Sequence, residues 1–172
     1  TCGGAPSIHV AVLDSVTLEL WNTQDYNFGN YNFFNSTAPG QYGCRPRPEE
    51  YFIFRDDMGG HNALLNMLNS IPNGNYVALY TVYNVAFSMW TNGLKPLLTN
   101  WGSDSITFIG NGDPYIFFTK KGDNSQTQEA LGDSVRTYIN LSATLGGNWT
   151  KGFVNSVTIG PAVTWDSFHW DQ

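Results

Sequence analysis

The sequence predicts an α+β fold that is mostly β-strand, and three observations support this class. Two apolar runs of strand length, residues 76–83 and 115–119, carry few charges, and each follows turn-forming residues. Their tyrosine, phenylalanine and valine side chains suit a pleated surface packed on both faces, which predicts central strands. The segment between them has apolar residues three or four positions apart, the spacing of a helix that covers one face of a sheet.

The elements before these runs follow in chain order. Residues 8–13 form a short apolar run that ends at a turn signal, and residues 16–21 alternate well enough to be its hairpin partner at a sheet edge. Residues 51–55 predict a further strand. A helix is expected at about residues 60–70, because leucines recur on one face and Pro72 ends it.

The segment between the two central strands contains Gly93 and Pro96, so we expect two short helical turns rather than one rod. Gly102 is the expected C-terminal cap. Polar residues 122–133 predict a solvated loop. Oxygen-bearing side chains alternate along it as in a calcium loop, but the segment has neither the turn glycine nor the distal glutamate of the EF-hand pattern. Whether this loop binds a metal ion stays open.

The last third of the chain is expected to return to strands at residues 135–141 and 149–159. Its ending contains Trp165 and Trp170, whose large apolar rings need cover. We therefore expect the C-terminal segment to dock on the body of the domain or on a neighbouring chain.

Length and charge limit the class of protein. The chain has 172 residues, which suits a single domain over residues 1–172. We expect this domain to be excised from a longer secreted or surface protein. A net charge of −6 without a basic cluster argues against nucleic acid as a partner. No apolar run reaches the ~20 residues of a membrane helix, so no membrane insertion is expected.

Aromatic residues make up 15% of the chain, which predicts exposed rings with a binding partner.

The two cysteines, Cys2 and Cys44, flank a long segment whose second half, residues 22–43, predicts an irregular loop. They are the only two cysteines in the sequence and do not form a CxxC motif, so a structural disulfide is the main interpretation and two idle thiols the alternative. A disulfide would indicate an oxidising, extracellular setting.

The standard catalytic motifs are absent from the sequence. It has no GxSxG elbow, HExxH pair, GxGxxG turn or phosphate-binding loop, so we predict no enzyme activity, no cofactor and no metal site. His9 and His61 are interpreted as structural residues of a strand and a helix start. Asp56 and Asp57 are interpreted as a helix-start cluster, because adjacent carboxylates on an extended chain point to opposite faces.

Four segments together carry a resemblance to a known family: IHVAVLD, NSIPNGNYVALYT, NWGS and GDPYIFFTKKG. Their order resembles the ILEI/PANDER domain, found in interleukin-like secreted proteins and in the stem of the protein O-mannose N-acetylglucosaminyltransferase. The resemblance implies two packed antiparallel sheets with two or three short helices. The ending, GFVNSVTIGPAVTWDSFHW, is more similar to bacterial versions that accompany gingipain-type peptidases and type IX secretion modules in Bacteroidota.

Carbohydrate binding is the function that these observations favour. Sugar sites pair an aromatic ring with a carboxylate or amide that fixes the hydroxyls. The resemblance implies such a role for Asp113, with Tyr115 as the ring, although a turn role for Asp113 stays open. Trp165, His169 and Trp170 are further ligand-binding candidates. We expect a non-catalytic extracellular or cell-surface carbohydrate-recognition or adhesion module that binds a glycan or another surface protein. The alternative is a protein-docking accessory domain of a secreted peptidase or surface protein.

Overall fold

The structure is a computed structural model that describes residues 5–31, 47–133 and 138–145. Several predictions lie outside these residues and stay predictions: the Cys2–Cys44 disulfide, the strand at 149–159, and the roles of Trp165, His169 and Trp170. Residues 138–141 were predicted as part of a strand and have no regular secondary structure, so that part of the prediction is wrong.

The described residues form one antiparallel sheet of five strands. The strands are β1 (Ser7–Leu13), β2 (Phe52–Arg55), β3 (Tyr76–Val82), β4 (Tyr115–Lys120) and β5 (Asp123–Leu131), in the spatial order β2-β1-β3-β4-β5. The prediction of a mostly β fold is confirmed, and β3 and β4 are interior strands as expected. A second packed sheet is not found within the described ranges.

The position of β1 differs from the predicted edge hairpin. β1 lies between β2 and β3, and residues 16–21 contribute only one bridge, Leu13 to Leu20. The physical reason is the turn that follows β1. Leu18 has a positive φ of 58°, a left-handed conformation that interrupts an extended strand.

Two α-helices of the described part of the chain lie on the sheet, α1 (Met58–Ser70) and α2 (Leu94–Asn100). The side chain of Asp57 accepts a hydrogen bond from the Gly60 N–H at 2.8 Å and so caps α1, which confirms its helix-start role. α2 follows a separate 3-10 turn at Phe87–Met89, which confirms two short helical segments. Gly102, at φ 94°, donates its N–H to the Thr99 carbonyl at 2.9 Å and ends α2 as predicted.

The hydrophobic core lies between the helices and one face of the sheet. Side chains from both helices and four strands form one cluster, including Val10, Phe54, Leu64, Leu68, Leu79, Leu94, Leu98 and Phe117. The other face also carries buried apolar side chains, because Ile53, Tyr76 and Phe118 are at most 6% exposed. The prediction that β3 and β4 are packed on both faces is therefore confirmed only in part, because Ala78, Tyr80 and Ile116 on this face are partly exposed. No helix in the described part of the chain is long and apolar enough to cross a membrane.

The polar segment 122–133 is mostly strand β5, so the prediction of a solvated loop is wrong. The side chains that β5 directs towards the helices are held by hydrogen bonds rather than by apolar contacts. Thr127 Oγ1 lies 2.6 Å from Thr119 Oγ1 and donates to the Trp101 carbonyl at 2.7 Å. No group of acidic, histidine or cysteine side chains suited to a metal ion occurs among the described residues.

Candidate functional site

A cleft of 320 Å³ lies beside the turn that follows β1. We call it the aromatic–acidic cleft; its lining residues are Asp14, Thr17, Glu19, Leu20, Trp21, Asn22, Asp25 and Tyr26. All of them belong to the single stretch of residues 14–26, so the local fold of that stretch determines the shape of the cleft.

The Asp14 carboxylate organises the first half of the cleft. Its Oδ1 atom accepts hydrogen bonds from the Val16 N–H at 2.8 Å, the Thr17 N–H at 2.9 Å and the Thr17 hydroxyl at 3.3 Å. The backbone bonds from Thr17 and Val16 hold the pKa of Asp14 below its usual value. Asp14 is therefore a fixed negative charge at one side of the cleft.

Two backbone hydrogen bonds bring the chain back towards β1. The Asp14 N–H donates to the Glu19 carbonyl at 2.9 Å, and the Trp21 N–H donates to the Val12 carbonyl at 2.8 Å. These bonds place Trp21 next to the Asp14 turn.

Stacked aromatic rings form the second half of the cleft. The ring centroids of Trp21 and Tyr26 are 4.3 Å apart and their planes differ by 11°, while Phe28 stacks on Tyr26 at 5.7 Å. Phe28 in turn contacts the buried Phe52 of β2 edge-on at 5.6 Å. The rings are partly buried, and the core behind them keeps the cleft wall in place.

A tight turn sets the last polar residues beside these rings. The Asn22 side chain accepts from the Gln24 N–H at 2.9 Å, and the Asn22 carbonyl accepts from the Asp25 N–H at 3.1 Å. Asp25 is exposed and directly precedes Tyr26. The cleft thus presents carboxylate and amide oxygens next to an aromatic stack.

A second cleft, of 420 Å³, has polar groups that already have partners. It is lined by Ala5, Pro6, Ser7, Tyr31, Arg55, Asp56 and Asp57. The Asp56 carboxylate accepts from His61 Nε2 at 2.8 Å and from a backbone N–H, and Asp57 caps α1. The Arg55 guanidinium lies 5.6 Å from the Tyr31 ring centroid. Because these groups already bond to other parts of the protein, this cleft has fewer free hydrogen-bonding groups for a polar ligand than the aromatic–acidic cleft has.

The structure places Tyr115 in the core. Its side chain is 0% exposed, and its hydroxyl lies 2.7 Å from Ser103 Oγ and donates to Glu129 Oε2 at 3.0 Å. Burial raises the pKa of Tyr115 far above its usual value, and the nearby Glu129 charge adds to the rise. The Tyr115 ring is therefore buried in the structure, and ligand binding by Tyr115 stays a prediction.

Asp113 occupies the turn that precedes β4. Its Oδ2 atom accepts a hydrogen bond from the Gly110 N–H at 2.8 Å, which fits the turn role left open by the sequence. A small cleft of 180 Å³ lies nearby, lined by Tyr80, Thr81, Pro114, Tyr115, Ile116, Tyr138 and Ile139. Asp113 is not among its lining residues, and ligand binding by Asp113 stays a prediction.

Sequence reasoning missed the aromatic–acidic cleft. The available signal was the run WNTQDY, in which Trp21 and Tyr26 flank polar residues that include Asp25. That run has the same aromatic and carboxylate chemistry that was sought around Asp113. The predicted ligand-binding residues Trp165, His169 and Trp170 lie outside the described residues.

Comparison with known families bears on the central part of the chain. Residues 45–123 match the family model described as interleukin-like EMT inducer. The match supports an ILEI/PANDER-like domain. The ILEI/PANDER-like segment contains β2, both helices, β3 and β4, whereas the aromatic–acidic cleft lies before it. No curated protein matches the chain at a significant level.

Proposed function

We propose that this chain is a non-catalytic, extracellular carbohydrate-recognition module whose sugar site is the aromatic–acidic cleft. The observation that supports the proposal is the stacked pair Trp21 and Tyr26 beside the carboxylate of Asp25. The bacterial cell-surface setting implied by the C-terminal resemblance belongs to the same proposal.

The chemistry of the cleft suits a sugar ring. A pyranose has apolar C–H faces that pack on aromatic rings and hydroxyl groups that donate hydrogen bonds to carboxylate and amide oxygens. Trp21 and Tyr26 supply the ring surface, and Asn22 and Asp25 supply oxygens within the same cleft. The stack already packs on the core, so little side-chain freedom is lost when a ligand binds.

A glycan array with the intact chain, followed by titration of the best ligand, tests this function. We expect Asp25→Ala to weaken glycan binding at least about tenfold, because a hydroxyl acceptor is lost. The melting temperature should not change, since Asp25 is exposed and accepts no hydrogen bond within the described residues.

Asp104→Ala is the matched control, because it removes another exposed carboxylate that is outside the cleft. This control should bind as the wild type does. The proposal fails if no glycan binds, or if Asp25→Ala and Asp104→Ala bind equally well. Loss of binding in Asp113→Asn alone would move the sugar site to the turn before β4.

A further inference from the structure

We infer that the aromatic–acidic cleft selects amine-bearing sugars, such as glucosamine units with a free ammonium group, over N-acetylated and acidic sugars. The inference rests on the proposed carbohydrate function and adds the chemical class of the ligand. Two independent features of the cleft support it, the negative charge of its carboxylates and its aromatic rings.

The first feature is negative charge without a counter-ion among the residues that the structure describes. Asp14, Glu19 and Asp25 all line the cleft, and none of the lining residues is basic. Within the described ranges, the ion pairs are Arg47–Glu50 and His61–Asp56, so none of the three cleft carboxylates is paired with a cation.

The carboxylates also have free accepting capacity. All three hydrogen bonds to Asp14 reach Oδ1, which leaves Oδ2 without a donor among the described residues. The side chains of Glu19 and Asp25 are exposed and accept no hydrogen bond there either. An ammonium group has three N–H donors and no acceptor, so it complements these oxygens better than a hydroxyl group does.

The second feature is the Trp21–Tyr26 stack. Aromatic faces carry a negative quadrupole that attracts cations, and tryptophan is the strongest of the aromatic side chains in this respect. A positively charged sugar is therefore favoured by the rings and by the carboxylates together. An N-acetylated sugar keeps the ring contact but loses the charge, and a uronic acid brings a like charge into the cleft.

Calorimetric titration of the intact chain with three tetrasaccharides tests the inference: glucosamine, N-acetylglucosamine and galacturonic acid. At low ionic strength we expect the glucosamine tetramer to bind about tenfold more tightly than the N-acetylglucosamine tetramer, with no binding of the acidic one. Added salt should reduce this ratio, because exposed charges are screened.

The outcomes separate this inference from the proposed function. Binding of the N-acetylglucosamine tetramer with equal or weaker binding of the glucosamine tetramer overturns the inference and keeps the carbohydrate function. If none of the three tetramers binds and the glycan array shows no ligand, both the inference and the carbohydrate function are overturned.

Charge-removing variants give a second test. Asp25→Asn keeps the shape and one acceptor oxygen but removes the charge, so the ratio of the glucosamine to the N-acetylglucosamine affinity should fall about threefold. Asp104→Asn removes a charge outside the cleft and should leave the ratio unchanged. An unchanged ratio in Asp25→Asn, or an equal fall in both variants, overturns the inference.

Discussion

Substituting alanine for Gly60 in α1 is expected to lower the free energy of unfolding by roughly 3 kcal/mol. A Cβ atom at this position would lie 2.1 Å from the Arg55 carbonyl oxygen, 2.9 Å from the Arg55 nitrogen and 3.0 Å from its carbonyl carbon. These are backbone atoms at the end of β2, where Arg55 pairs with Ser7 of β1. The clash can be relieved only by moving α1 away from the sheet. Urea denaturation of the wild type and the variant measures the loss.

Gly59→Ala is the matched control for this prediction. A Cβ atom at Gly59 would meet only the Asp57 side chain, at an ordinary contact distance of 3.4 Å. Because alanine is about 1 kcal/mol more favourable than glycine inside a helix, Gly59→Ala should not destabilise the protein. Equal losses in the two variants would show that the close approach of α1 to β2 is not the cause.

Glu129→Ala is expected to lower the free energy of unfolding by a similar amount, roughly 3 kcal/mol. The carboxylate accepts from the hydroxyls of Ser103 at 2.7 Å, Ser105 at 2.9 Å and Tyr115 at 3.0 Å. It also accepts from the backbone N–H groups of Asp104 at 3.0 Å and Ser105 at 2.8 Å. Its removal leaves several of these donors unpaired, and the buried ones cannot turn to water. Thermal and urea denaturation measure the effect, with the exposed neighbour Gln128→Ala as control.

The same carboxylate predicts how stability depends on pH. Burial alone raises the pKa of Glu129, but the hydrogen bonds from Ser103, Ser105 and Tyr115 together hold it below its usual value of 4.5. A lowered pKa in the folded state means that the stabilisation is complete above the unfolded-state pKa and is lost as the pH falls through the folded-state pKa.

The stability difference between the wild type and Glu129→Gln should therefore shrink as the pH is lowered from neutral to about pH 3. Glu19→Gln, at an exposed position, serves as the comparison. A difference for Glu129→Gln that stays constant across this range would contradict the assigned role of the ionised carboxylate.

The sequence was informative where apolar periodicity decides the structure. β3, β4 and α1 lie where the apolar runs and the leucine spacing place them, since each buries its apolar side chains in the core. β5 could not be found in this way. Its Thr127 and Glu129 side chains are held by hydrogen bonds to Trp101, Thr119 and other distant partners, so no apolar alternation marks the strand.

The candidate site was harder to predict than the sheet. The spacing of Asp113 and Tyr115 is the same whether the ring is exposed or buried, and burial is decided by Ser103 and Glu129, which are 12 and 14 residues from Tyr115. The cleft near Trp21 depends on the left-handed conformation of Leu18, for which leucine gives no sequence signal.

β1 lies inside the sheet, between β2 and β3, but outside the residues that match the family model. The matched residues are therefore not the same as the residues needed for a complete sheet. A polypeptide cut to residues 45–123 would contain β2 and β3 without the strand that is hydrogen-bonded to both of them. It would also keep only the first residue of β5, so β4 would lose its outer neighbour. Unpaired strand edges of this kind recruit strands from other molecules and lead to aggregation. Expression fragments of this protein should therefore begin before Ser7 and continue past Leu131.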